Sequence, residues 1–166
     1  CVRGVVFAGC EGLGRGGGLE WALACDVRSA EAHAQMALPE ATGGWLPWAG
    51  GTQRLTALVG PGWAKRIILC GERIKADKAL SLGLVEEVVE SGTAKAAALA
   101  LAAQVAQQSP VSVTFCKELI HKPREAVMPQ GLLLERERFI QLFDTLDQKE
   151  GVNAFLEKRS PAWKNA

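Results

Sequence analysis

The chain has 166 residues, a formal net charge of +1 and 22% charged residues. This length is enough for one domain with a real hydrophobic core, and the near-zero net charge gives no broad field that would attract nucleic acid or a membrane surface. Gly, Lys or Glu residues interrupt the longest apolar stretches, so no transmembrane helix is predicted, and the opening residues lack the pattern of a signal peptide.

The first part of the chain, residues 1–92, predicts a mixture of strands and helices. The predicted strands cover residues 2–8, 27–30, 35–38 and 84–89. The predicted helices cover residues 18–25, 52–59, 63–69 and 76–82, and a glycine ends three of them. Glycine-rich loops are predicted at 9–17 and 41–51.

The rest of the chain, residues 93–166, is predicted to be helical. The predicted helices cover residues 93–107, 110–121, 129–146 and 147–158. Thr93 is the expected N-cap of the first helix, and Ser109 is the expected N-cap of the second, ahead of Pro110. A helical tail with apolar faces on a mixed domain often packs against another subunit, so we expect an oligomer.

The cysteines lack the paired spacing that a zinc site requires. There are five of them, at Cys1, Cys10, Cys25, Cys70 and Cys116. An odd number in a chain of this size indicates reduced, buried thiols, so we expect no metal site and a cytoplasmic location.

A glycine-rich turn followed by two glutamates is the most informative feature of the sequence. Residues 16–18 are glycines and open a short apolar helix that carries Glu20, and Glu40 follows Pro39 further on. Free backbone N–H groups at a helix start suit a developing negative charge, and two nearby carboxyls suit proton transfer to and from water. The alternative places both glutamates on solvated surface. A second glycine turn, at 50–51, fits either an anion site or a simple tight turn.

Other candidate sites are weaker. Gly12 to Gly17 matches the G-x-G-x-x-G pattern of dinucleotide-binding folds, but the following helix is too short for such a fold, which disfavours this alternative. Asp26 is interpreted as the start of the next strand, bonded to backbone. His33 and His121 lie far apart without a partner motif, so no catalytic triad is predicted.

Five segments resemble signatures of the crotonase, or enoyl-CoA hydratase/isomerase, family. They are GGGLEWALACD at 16–26, LPE at 38–40, LPWAGGTQRL at 46–55, ALSLGLV at 79–85 and AFLEKR at 154–159. The first resembles the family's Gly-Gly-Gly-x-Glu-Leu-Ala-x-x-Cys-Asp signature, the second its x-Pro-Glu, and the third its Ile-Pro-Gly-x-Gly-Gly-Thr-Gln-Arg-Leu segment.

The resemblance implies an α/β fold. Its core is a crotonase-like spiral of repeated ββα units, here lacking its N-terminal part, and a C-terminal helical trimerisation region follows. We expect a partial core at 1–92 and the helical oligomerisation region at 93–166, in a homotrimer or a dimer of trimers. The implied substrate is an acyl-CoA thioester of fatty acid metabolism, in the cytoplasm or in the mitochondrial matrix of a eukaryote. No cofactor is implied beyond the coenzyme A of the substrate, and neither nucleic acid nor a membrane is an expected partner.

The resemblance also implies roles for single residues. Gly17 would supply one of two backbone N–H donors of an oxyanion hole for the thioester oxygen. The presence of both glutamates favours a hydratase, in which Glu20 activates the water that adds syn to a 2-trans-enoyl-CoA. Glu40 would protonate the α carbon, giving a 3-hydroxyacyl-CoA. Since two carboxyls around one water do not both ionise easily, one is expected to hold a proton. The isomerase, hydrolase and decarboxylase activities of the family stay open.

Five further residues are expected to contact the substrate. Gly16 and Pro39 adjoin the catalytic positions, and Phe155 and Lys158 match positions that contact the adenine end of coenzyme A across a subunit boundary. Trp48 stands where the family usually has glycine, and its bulk excludes the positive φ that glycine allows. A different loop path or substrate preference is therefore expected.

The chain enters an apolar run directly after Cys1, which favours the C-terminal portion of a longer protein. In the family, a preceding region carries the second oxyanion donor and much of the coenzyme A pocket. Loss of one oxyanion donor typically costs about a hundred- to a thousandfold in rate, so we expect the chain by itself to be inactive. The alternative is an assembly module without chemistry.

Overall fold

The computed structural model describes residues 4–108, 113–117, 120–121 and 128–162. The strands are β1 (Phe7–Cys10), β2 (Leu13–Arg15), β3 (Val27–Glu31), β4 (Gln35–Ala37), β5 (Ile74–Lys75) and β6 (Glu87–Val89). The helices are α1 (Gly17–Ala24), α2 (Gly51–Leu69), α3 (Ala76–Ser81), α4 (Ala94–Ala106), α5 (Met128–Leu142) and α6 (Leu146–Glu157). A 3-10 turn covers Glu40–Gly43, and residues 113–117 and 120–121 are also helical.

The strands form two sheets that share the same ββα units. The first sheet has the order β1-β3-β6 and is parallel throughout. The second has the order β2-β4-β5, in which β2 and β4 are parallel and β5 is antiparallel. The units β1-β2-α1 and β3-β4-α2 each give one strand to each sheet. The prediction of a mixed α/β core with repeated ββα units is confirmed.

The core lies between these sheets and the helices that follow them. Its largest fully buried apolar side chains are Leu19, Met36, Leu38, Leu55, Ile67, Ile74, Leu84 and Val85. They come from β4 and β5 of the second sheet, from α1 and α2, and from adjoining loops, and the buried Ala30 of β3 joins them from the first sheet, so the two ββα units share one core. Burial of side chains this size contributes about 1.5–3 kcal/mol each to folding.

Helix α2 contains a break at Gly60, where φ is 76° and ψ is 165°. The following Pro61 has no N–H to continue the helical ladder, and glycine adopts the positive φ without a steric cost. The two helices predicted at 52–59 and 63–69 are therefore confirmed as two segments joined by a kink.

Four strands differ from the sequence-based expectation, and one of them, β6, begins at Glu87 instead of at residue 84. Strand β2 lies inside the predicted loop at 9–17, and β5 had no predicted counterpart. Both have three residues or fewer and exist through pairing with β4, so their own sequences carry no period to detect. The first strand begins at Phe7, because the Val6 N–H donates to the Asp26 carboxylate at 2.7 Å.

The predicted side-chain cap of α4 is wrong. Thr93 does precede the helix, but its hydroxyl donates to the Glu90 carbonyl at 2.6 Å and makes no cap bond. The buried carboxylate of Glu31, at the end of β3, instead accepts from the N–H groups of Gly92 at 2.8 Å and Ala94 at 3.3 Å. A group distant in sequence thus stabilises the start of the helix.

The predicted helix at 129–146 ends earlier, at Leu142. Helix α6 begins after Thr145, whose Oγ1 accepts from the Gln148 N–H at 3.1 Å as a regular N-cap. The predicted cap at Ser109 lies outside the described residues. None of the described helices is long and apolar enough to cross a membrane.

Candidate active site

The carboxylate of Glu20 is buried at the start of α2. Gly16, with φ 54°, turns the chain from β2 into α1, and Leu19 and Leu23 bury one side of this helix. Glu20 is 1% exposed. Its Oε1 accepts hydrogen bonds from the backbone N–H of Ala49 at 2.9 Å and of Gly51 at 2.8 Å. These bonds satisfy and orient the ionised form of the carboxyl.

The two donors belong to the glycine turn that opens α2. Gly50 has φ 98°, which places its neighbours' N–H groups on the same side of the turn. Arg54 Nη1 donates to the Ala49 carbonyl at 2.6 Å and thereby stabilises the turn. The sequence left this turn as an anion site or a simple turn, and the structure shows that its N–H groups bind a side chain of the same chain, the carboxyl of Glu20.

The second glutamate, Glu40, starts the 3-10 turn directly after Pro39. Within the described part of the chain, its buried Oε2 has no hydrogen-bond partner. Burial raises the pKa of the Glu40 carboxyl above its usual value; the negative charge of Glu20 adds to this rise, while the backbone N–H of Glu40 itself and the charge of Arg15 oppose it. The two carboxyls therefore have different environments: Glu20 Oε1 accepts from two N–H groups of the α2 turn, whereas Glu40 Oε2 is buried with no partner among the described residues.

Glycines leave the space that this arrangement needs. A Cβ atom at Gly16 would lie 2.9 Å from Glu40 Oε1, and a Cβ atom at Gly51 would lie 2.7 Å from Glu20 Oε1. Gly17 is the first residue of α1, faces open space and is exposed. The N–H groups of a first helical turn have no partner inside the helix, so this N–H is suited to a ligand oxygen.

A cavity of about 510 Å³ adjoins Glu40. On the core side its walls are Arg15, Gly16, Pro39, Glu40, Thr42, Gly43 and Trp45, and on the other side they are Gly151, Val152, Ala154, Phe155, Arg159 and Pro161. Three of the predicted substrate-contacting residues, Gly16, Pro39 and Phe155, therefore line the same cavity from its two sides. Phe155 reaches it within the same chain.

The other two predicted substrate-contacting residues lie elsewhere. Trp48 is 59% exposed and stacks on Phe139 of α5, with ring centroids 5.3 Å apart and planes 24° apart. Trp45 and Phe143 extend this aromatic cluster. Lys158 ends α6 with φ 53°, a left-handed conformation usually taken by glycine, and is not in the cavity wall.

Two cationic residues line this cavity. Arg15 was given no role from the sequence, although its position directly before the glycine turn was a usable signal. Arg159, with Lys158 and Lys164, was left as either a phosphate contact or a solvated residue, and its place depends on bonds to α6: its Nη1 and Nη2 contact the Glu150 carboxylate at 2.6 and 3.0 Å. These bonds fold the chain after α6 back toward the cavity.

The remaining polar candidates are structural. Asp26 accepts from the Val6 N–H at 2.7 Å and from Lys117 Nζ at 2.7 Å, and lies 3.1 Å from His121 Nε2. Burial opposes its ionisation, but these hydrogen bonds outweigh that effect and lower the pKa of the Asp26 carboxyl. The expected backbone bond of Asp26 is confirmed.

The G-x-G-x-x-G match does not form a phosphate loop. Residues Leu13–Arg15 inside it are strand β2, and α1 after it has only eight residues. A dinucleotide-binding turn would instead lead straight from a strand into a longer helix.

The fold of repeated ββα units, with Glu20 and Glu40 near each other, agrees with the family comparison. The profile of the enoyl-CoA hydratase/isomerase family matches residues 2–166, so the chain belongs to this family.

Several relatives show the range of this likeness. The chain is 41% identical over 154 residues to the short-chain-enoyl-CoA hydratase of Clostridium acetobutylicum, covering 93% of this chain and 59% of that protein. It is 61% identical to the solved structure of Pseudomonas aeruginosa DspI, covering 98% of this chain and 62% of that one, with a TM-score of 0.74. A carnitinyl-CoA dehydratase from Mycobacterium avium aligns with a TM-score of 0.94 at 35% identity, over 100% of this chain and 66% of that one.

The chain thus spans about three fifths of the length of the curated relatives it matches, 59% and 62% in two cases. These two curated relatives, from Clostridium acetobutylicum and Escherichia coli, are named short-chain-enoyl-CoA hydratase and 2,3-dehydroadipyl-CoA hydratase.

Proposed function

We propose that the protein containing this chain is an enoyl-CoA hydratase, which adds water syn to a 2-trans-enoyl-CoA and forms a 3-hydroxyacyl-CoA. One observation carries the proposal. Glu20 is held by two N–H donors at a helix start, while the neighbouring Glu40 is half-buried and has a buried Oε2 that lacks a partner among the described residues. This is one carboxyl prepared as an anion and one prepared to hold a proton.

In the proposed reaction the ionised Glu20 accepts a proton from the bound water. The water oxygen forms a bond to C3 of the enoyl group, and the C2–C3 double bond shifts its electrons to an enolate at the thioester. The protonated Glu40 then gives its proton to C2. Glu20 gains the proton that the water loses, and Glu40 loses the proton that C2 gains. One water is therefore added across the double bond, and the two carboxyls together hold the same number of protons as before.

The enolate oxygen requires hydrogen-bond donors. We propose the N–H of Gly17 as one of them, since it lies at the positive end of α1. With an acid, a base and an oxyanion donor supplied by the chain, the reaction needs no cofactor beyond the coenzyme A of the substrate. We place the second donor in residues outside this chain, and we expect the 166-residue chain alone to be inactive.

The assembly and compartment belong to the same proposal. The exposed apolar side chains of α5, Leu133 and Ile140, together with Phe143, support packing against a second subunit. We propose a homotrimer or a dimer of trimers, built through a helical region at 93–166 beside a partial core at 1–92. A cytoplasmic or mitochondrial matrix location follows from the substrate class.

The test uses the full-length protein that contains this chain and measures hydration of crotonyl-CoA by its absorbance. Glu20→Gln and Glu40→Gln each remove one proton-transfer group and are expected to lower kcat by about 100- to 10,000-fold. Glu11→Gln, at an exposed position, is the matched control and keeps the parent rate. Unchanged rates in both site variants would end the proposal.

A further inference from the structure

The contact between α6 and the 3-10 turn of Glu40 is made through backbone. Gly151 of α6 faces the carbonyl of Gly43, and a Cβ atom at Gly151 would overlap that carbonyl and lie 3.2 Å from the nitrogen of Gly44. On the other side, a Cβ atom at Gly44, whose φ is 76°, would lie 2.9 Å from the Asp147 carbonyl oxygen. The helix and the turn therefore touch at a distance that only glycine permits.

This contact fixes one wall of the cavity. Gln148, Gly151 and Ala154 recur at helical spacing and are buried along the same side of α6. The same helix also places Val152 and Phe155 in the cavity wall. A displacement of α6 therefore moves the wall that faces Glu40 and widens the opening of the cavity to solvent.

The turn on the other side of the contact is short and connected directly to Glu40. Gly43 is the last residue of the 3-10 turn that Glu40 begins, and the Trp45 N–H donates to the Glu40 carbonyl at 3.0 Å. A shift of the Gly43 carbonyl cannot be absorbed by a loop in between, because there is none.

We infer that Gly151 is a positioning residue for Glu40. Because Gly151 has no side chain, α6 packs directly against the Gly43 carbonyl, and this contact limits the exposure of the Glu40 carboxyl to solvent. The catalytic importance of this position rests on the proposed function, whereas the titration that tests it does not. The charged groups around the Glu40 carboxyl are Glu20 on α1, Arg15 on β2 and Arg159 after α6. On α6 itself, Glu150 and Glu157 pair with Arg159.

The test is an NMR titration of the Glu40 side-chain carboxyl carbon in the full-length protein, with no substrate present. Gly151→Ala is expected to lower the titration midpoint of Glu40 toward the ordinary value by about half a pH unit or more, since desolvation weakens. Gly62→Ala is the matched control, because a Cβ atom there meets nothing within 4 Å and the position is an exposed part of α2. It keeps the parent midpoint.

A milder variant covers the case in which Gly151→Ala does not fold. Thr145→Ala leaves both glycines in place and removes only the N-cap of α6, so the helix start frays. It is expected to move the midpoint in the same direction by a smaller amount. The inference is overturned if the Gly151→Ala protein is folded and Glu40 titrates in it as in the Gly62→Ala control. If Gly151→Ala does not fold, the same result in a folded Thr145→Ala protein overturns it. Loss of hydratase activity in the parent protein would leave this result unaffected.

Discussion

The Oε1 atom of Glu20 lies 2.8 Å from the backbone nitrogen of Gly51, which begins the next long helix. A Cβ atom at Gly51 would lie 2.7 Å from Glu20 Oε1 and 2.8 Å from Pro47 Cβ, so only glycine fits at this position. The carboxylate is therefore held at a position that the glycine turn defines. Its bond from the Ala49 N–H comes from the same turn.

Replacement of Gly51 by alanine is expected to displace Glu20 from this position. The added methyl group overpacks a buried contact, for which a cost of about 1–3 kcal/mol in unfolding free energy is typical. Because the N–H donor also moves, we expect kcat for crotonyl-CoA hydration to fall by about tenfold to a hundredfold. Gly62→Ala is the control for a glycine-to-alanine change in the same helix, and equal rates in the two variants would contradict the expectation.

Replacement of Glu40 by glutamine is expected to stabilise the fold while it removes the proposed acid. The pKa of Glu40 is raised in the folded state, so the folded protein binds the proton more tightly than the unfolded chain does. Stability from this group is therefore full at pH below its unfolded pKa and is lost as pH rises through the folded value. A neutral glutamine does not have this loss.

The measurement for Glu40→Gln is the thermal midpoint at about pH 4 and about pH 8. We expect the variant to gain stability relative to the parent at the higher pH and to show a smaller difference at the lower one. Glu11→Gln, at an exposed carboxyl, serves as control. A gain that is the same at both pH values would show that the carboxyl charge is not the cause.

Asp26 is expected to matter for stability rather than for turnover. Its carboxylate joins Val6 at the start of the first strand to Lys117 in a distant helical segment. Loss of one partner from a largely buried pair costs about 3–5 kcal/mol, and because asparagine keeps one acceptor oxygen we expect about 2–3 kcal/mol for Asp26→Asn. Denaturant unfolding of the chain measures it.

The pH dependence of this effect has the opposite sign to that of Glu40. The pKa of Asp26 is lowered, so its contribution is present above the unfolded pKa and is lost as pH falls through the folded value. The difference between parent and Asp26→Asn is expected to be full near neutral pH and to shrink in acid. Asp77→Asn, in the first turn of α3, is the control, and a difference that does not change with pH would argue against an ionised Asp26.

Trp48 is expected to hold the loop of the candidate site through its stack on Phe139. Trp48→Ala removes this contact, for which about 0.5–1.5 kcal/mol beyond simple burial is typical, while the exposed face of the ring adds little. Trp21→Ala is the matched control, because Trp21 is 77% exposed. Unfolding free energies of both variants decide the point, and an equal loss in the two would contradict the expectation.

Much of the local structure could be predicted from the sequence. The glycines at 16–18 and the apolar face of the following residues predicted α1 and placed Glu20 near its start. The break at Gly60 was also expected, since glycine and proline act through the backbone of their own neighbours.

Contacts between distant parts of the chain were decided by the tertiary structure alone. No sequence pattern indicated that Glu31 caps α4, that β5 pairs with β4, or that Arg159 and Arg15 line the same cavity. The same holds for the different environments of the two glutamates. The sequence determined which carboxyls and glycines are present and which local backbone they favour. Packing decided which N–H groups bind Glu20 and how far Glu40 is desolvated, because hydrogen bonding and burial depend on neighbours that no short pattern specifies.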